Sequence, residues 1–144
     1  MKNLEQSSIP TLLLFLFIFS FSWSQEINSS ENSVAISANN PNLDWGPCPE
    51  FMPEGCNIAV LHGDPTKKNV DVFLKVPANS TIPKHTHTSA ERMILVAGEM
   101  EVTYEGEEPQ KSKIGAYPNV PANNQHNAQC RMYPVMILIA FDKP

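Results

Sequence analysis

Apolar residues recur at every second position, or in short unbroken runs, along most of this chain. Nowhere do they hold helical spacing over ten residues or more. In Val70 to Val76 (VDVFLKV), Val70, Val72, Leu74 and Val76 fall on one face of an extended segment. Met100, Val102 and Tyr104 alternate with Glu99, Glu101 and Thr103. Ile58 to Leu61 and Arg92 to Val96 are further short apolar stretches, and Val135 to Phe141 (VMILIAF) is a continuous run of strand length. Turn formers separate them: Gly63-Asp64-Pro65, Pro77-Ala78-Asn79-Ser80 and Glu105-Gly106-Glu107-Glu108-Pro109. Thirteen prolines against six glycines disfavour long helices. The expectation is an all-β domain, a sandwich or barrel. Met93, Met100, Met132 and Met136 are expected as core filler, and Phe73, Tyr104, Tyr117 and Tyr133 as core-packed aromatics.

One apolar run does not fit this scheme. Thr11 to Trp23 (TLLLFLFIFSFSW) follows a short n-region containing Lys2, and Ser22 and Ser24 stand at −3 and −1 before Gln25. That is the pattern of a cleaved secretory signal. A run of thirteen is shorter than the roughly 20 residues that cross a bilayer. The expected organisation is a signal peptide over residues 1–24, a Ser/Asn-rich disordered tail over 25–42 and a β-domain over 43–144. The mature chain would be secreted or periplasmic, with no membrane association after cleavage.

Ten Lys+Arg against fifteen Asp+Glu give a net charge of −5. Without a basic cluster, nucleic acid is not an expected partner. Glu99, Glu101, Glu105, Glu107 and Glu108 read as a solvated strand face and turn, and His62 as a surface histidine. Export permits disulfides. Cys48 and Cys56 flank a proline-rich loop, where a local disulfide and two thiols are both compatible with the sequence. Cys130 is then left over as a buried thiol at what reads as the start of a strand.

The remaining histidines carry the chemistry. His85 and His87, at i and i+2, project to one side of an extended chain. Glu91 opens the next strand, and His126 precedes the last ones. If the sheet closes into a barrel, three imidazoles and one carboxylate can surround one divalent transition metal ion: Fe, Mn, Zn, Ni or Cu. Six-coordination would leave positions open for water or substrate.

These residues resemble the two motifs of the cupin superfamily. HTHTSAERMILVAG holds His85, His87, Glu91 and Gly98 at the spacing of the first motif, and GAYPNVPANNQH holds Gly115, Pro121 and His126 at that of the second. The match runs from Asn57 to Phe141. The segments LDWGPCPE and AVLHGDP further resemble the cupin domain of ChrR-type anti-sigma factors. Three motif positions depart from the pattern. Asn79 and Asn123 replace glycines, and Asn tolerates the left-handed turns they serve. Cys130 replaces an asparagine.

The resemblance implies a cupin-type β-barrel (a double-stranded, jelly-roll-like β-helix) with His85, His87, Glu91 and His126 as metal ligands, and a homodimer. It implies a metal-dependent enzyme acting on a small organic molecule, with dioxygenase-like or Lewis-acid (lyase or isomerase) chemistry. Glu91 could also serve as catalytic base. The alternative is a non-catalytic metal- or small-ligand-binding, sensing module.

Overall fold

Strands form where the alternation is cleanest, and the longest of them lie next to one another. The computed structural model describes residues 32–143. The expected signal peptide and residues 25–31 of the expected tail lie outside the described residues. Ten strands follow in order: β1 (Gly46–Pro47), β2 (Asn57–His62), β3 (Val70–Val76), β4 (Thr81–His85), β5 (Glu91–Ala97), β6 (Met100–Tyr104), β7 (Gln110–Ser112), β8 (Asn119–Val120), β9 (His126–Cys130) and β10 (Val135–Phe141). Among the described residues there is no helix. The all-β expectation therefore holds.

The strands make two antiparallel sheets. One has the order β1-β2-β3-β10-β5-β8 and the other β4-β9-β6-β7. β10 sits between β3 and β5, with Ile139 opposite both Val72 and Met93. Inward residues of both sheets interdigitate as one core, in which Leu95, Val76, Val102, Val120, Val135 and Ile137 are almost wholly buried. This is the layered, jelly-roll-like solution to the edge problem of antiparallel sheets.

Turn chemistry sets where the strands end. Asn79 (φ 55°) and Asn123 (φ 63°) both occupy the left-handed region, as anticipated where Asn stands for Gly. The amide of Asn79 donates to the Arg131 carbonyl at 2.8 Å, tying the turn before β4 to the end of β9. Cys48 and Cys56 are joined in a disulfide, which closes the proline-rich loop onto the start of β2.

Several expectations need correcting. Met132, Tyr117 and Tyr133 are exposed (73%, 58% and 66%), because they lie in the connections outside the strands and escape their alternation. Met93, Met100, Tyr104 and Phe73 are buried as expected. Cys130 is a free, buried thiol, yet it closes β9 instead of opening a strand. Arg92 makes a two-pronged pair with Asp142 at 2.7 Å on each prong.

Candidate metal site

β4 and β9 run antiparallel, and their register sets His85 opposite His126. The first residue of β9 and the last of β4 thus meet at one end of the smaller sheet, their rings 4.2 Å apart between centroids. A register irregularity between Ile82 and His85 precedes this pair, re-aiming the strand end. His87 lies just beyond β4. Its carbonyl accepts from the Asn123 amide at 2.8 Å, so the left-handed turn before β9 holds the bend after β4. Glu91 comes from the other sheet as the first residue of β5, opposite Val120 and Phe141.

The structure therefore groups the three histidines singled out in the sequence and sets Glu91 beside two of them. One ring nitrogen from each of His85, His87 and His126 lies within 4.8 Å of the other two. The carboxylate Oε2 of Glu91 is 3.3 Å from His126 Nε2 and 3.6 Å from His87 Nε2. Glu91 and His126 are buried, and the other two histidines are partly so.

Hydrogen bonds on the far side of two rings settle which nitrogen faces inward. His85 Nδ1 lies 2.7 Å from the Pro83 carbonyl and His126 Nδ1 3.2 Å from that of Asn124. A carbonyl only accepts, so Nδ1 carries the proton and Nε2 presents a lone pair to the interior. Backbone acceptors of this kind orient metal-binding imidazoles. His85 and His87 both sit below the ordinary histidine value of 6.5, chiefly because burial penalises the imidazolium. Neutral imidazole is the form that coordinates a metal.

His87 Nε2 and Glu91 Oε2 are buried without a hydrogen-bond partner. Unsatisfied buried polar atoms are costly and rare, and here two of them lie together. A single cation would satisfy them together, so the residues present fit a metal ion. Cys130 does not join this group.

The donors open on a cavity of about 200 Å³ between the sheets. Two aromatic rings of its wall were not singled out for the site in the sequence. Phe51, from the disulfide-closed loop, packs its ring 5.3 Å from that of His85, and Phe141 lies 5.4 Å from His87. Phe141 belongs to a run that reads as core. Only the pairing of β10 with β5 turns it to the site.

Comparison with known proteins adds the following. The model of the ChrR Cupin-like domain family matches residues 34–143. No curated protein matches the chain. Among solved structures, an RmlC-like cupin from Shewanella frigidimarina NCIMB 400 is 16% identical with a TM-score of 0.62, covering 73% of this chain and 87% of that one. KdgF from Halomonas sp. is 20% identical with a TM-score of 0.60, covering 73% and 93%. The DMSP lyase DddQ from Ruegeria pomeroyi DSS-3 is 21% identical with a TM-score of 0.60, covering 69% of this chain and 56% of that one. At these identities the likeness is one of fold.

Proposed function

This chain belongs to the ChrR cupin-like family, and from that membership we propose that it is an exported metal-dependent enzyme acting on a small organic molecule. His85, His87, His126 and Glu91 would hold one divalent transition metal ion, Fe, Mn, Zn, Ni or Cu. The observation that carries this reading is the pair of buried polar atoms without hydrogen-bond partners, His87 Nε2 and Glu91 Oε2, beside the Nε2 of His126. Bound there, the ion would supply Lewis acidity or, if redox-active, dioxygen chemistry.

The chain's own residues would do the rest. The Pro83 and Asn124 carbonyls hold two imidazoles in the coordinating tautomer. The apolar cavity wall would surround the reacting centre with hydrocarbon on its inner side. Among the described residues Glu91 is the single carboxylate lining it, and so the first candidate to take a proton from substrate. A DMSP lyase shares this fold, and proton abstraction by a carboxylate fits lyase chemistry.

A second reading, a metal- or ligand-binding module without turnover, is favoured by the absence of any other acid or base from the cavity lining beyond the three histidines and Glu91.

Metal analysis tests the centre. The purified chain, without added salts, should carry about one equivalent of metal, and His87→Ala should lose most of it. Unchanged occupancy in that variant would overturn the assignment. Substrate turnover or oxygen uptake by the metal-loaded protein then separates the enzyme from the binding module.

A further inference from the structure

Apart from its four donors, the cavity wall is hydrocarbon and thioether, with Ile82, Met93, Met100, Val102 and Ile137 among its residues. Among the described residues no lysine, arginine, hydroxyl or carboxamide side chain lines it. That composition excludes more than it admits. A polyhydroxylated sugar would leave its water partners and find no side-chain donors or acceptors along its body. A dianion would meet Glu91 with no lysine or arginine beside the ion to offset it. An apolar body loses nothing on entry and gains by leaving water.

Size narrows the class further. Apolar cavities of roughly 150 Å³ take up benzene, so about 200 Å³ is room for one ring and a compact head. A second cavity, of about 220 Å³, lies alongside and is lined by Pro65, Thr88 and Ser89 among others. The two share Ile58, Val72, His87 and Phe141. Residues that line both must form the wall between them. Phe141 is the largest of the four, and its ring packs against the donor His87.

We propose that the site takes a ring-sized, hydrocarbon-rich molecule with one compact metal-binding head, and that Phe141 sets the size limit by dividing its cavity from the neighbouring one. The assignment rests on the metal centre proposed above for the head alone. The body is assigned from the cavity itself. Phe141 is therefore a specificity residue: it shapes the space a ligand fills.

Three probes with one head and different bodies test this: acetohydroxamate, benzohydroxamate and 2-naphthohydroxamate, titrated calorimetrically into the zinc-loaded protein. Benzohydroxamate should bind at least tenfold tighter than acetohydroxamate, and the naphthyl probe should gain nothing over the phenyl one. Phe141→Ala should join the two cavities and shift the naphthyl-to-phenyl affinity ratio at least tenfold toward the larger probe. Phe141→Leu, which keeps an apolar side chain in β10, should shift it in the same direction by less.

Equal affinity for the acetyl and phenyl probes in zinc-loaded protein would overturn the ligand class. An unchanged naphthyl-to-phenyl ratio in both variants, with zinc content intact, would overturn the role of Phe141. A metal-free arm keeps this result separate from the fate of the metal centre. Toluene has no head, and ligand-observed NMR should still detect it bound to metal-free protein. If zinc fails to bind, the metal-centre reading fails, and toluene uptake decides for the cavity while its absence decides against it.

Discussion

A left-handed backbone costs any residue that carries a Cβ, and two glycines here avoid that cost in different surroundings. Gly98 (φ 80°) joins β5 to β6, and a Cβ built on it would stand 2.5 Å from the Pro134 carbonyl oxygen and 3.1 Å from Val135 Cα. Gly115 (φ 83°) has open space at the same position. Gly98→Ala is therefore expected to cost about 3 kcal/mol, strain and backbone clash combined. Gly115→Ala should cost about 1 kcal/mol, for conformation alone. Urea unfolding of the two variants checks this, and equal costs would contradict the close approach. At this scale the sequence was legible where one residue type does one physical thing. Asn79 and Asn123 could be placed in left-handed turns because few other side chains tolerate them. His85 and His87 could be placed on one side because i and i+2 share a strand face. Phe51 and Phe141 were not legible. A phenyl ring is equally suited to core and cavity, and only pairing across the fold decides which it meets. Met132, Tyr117 and Tyr133 were misjudged for a related reason: outside a strand, no period says which way a side chain points.

Elements meet the site through their ends, and a buried hydroxyl helps to hold the end of β10. Ser89 is buried, and its Oγ accepts from the amides of Asp142 and Lys143 at 3.0 and 3.1 Å. These bonds fasten the chain just after Phe141, which pairs with Glu91. Ser89→Ala would strand two amides and should cost about 2 kcal/mol. Hydrogen exchange at the amides of Asp142 and Lys143 should accelerate together. Unchanged exchange there would mean that Ser89 does not hold the strand end. The elements themselves were unevenly legible. β3 and β10 have the bounds read from the sequence, Val70–Val76 and Val135–Phe141, because both are long and strongly apolar. β4 could not be read as a strand. It lies at a sheet edge and buries only Ile82 of its five residues, so Lys84 and Pro83 break any alternation. β1, β7 and β8, of two or three residues each, are too short to show a period at all.

At the scale of the whole molecule, the same burial that builds the site should limit the pH range of the fold. His85 and His87 lie below 6.5 in the folded chain, first of all through desolvation, whereas the unfolded chain titrates near the ordinary value. As pH falls through 6.5 the unfolded state therefore takes up protons first, and stability of the metal-free protein falls with it. On the alkaline side the sign reverses. Burial pushes the Cys130 thiol above 9.0 and the Tyr104 phenol above 10.0. The unfolded chain then loses those protons first, and stability falls as pH rises beyond about 9. Urea midpoints of metal-free protein should accordingly be highest between these limits, near pH 7.5, and lower at 5.5 and 9.5. His87→Gln should flatten the acid limb, while Cys130→Val should flatten the alkaline one. A bound ion would sharpen the acid limb, since it requires deprotonated imidazoles and competes with protons for them. Zinc should raise the midpoint at pH 7.5 by mass action and lose that effect at pH 5.0. A zinc-induced rise of equal size at both pH values would place the ion away from the histidines, because only a site built of titrating groups gives it up to acid.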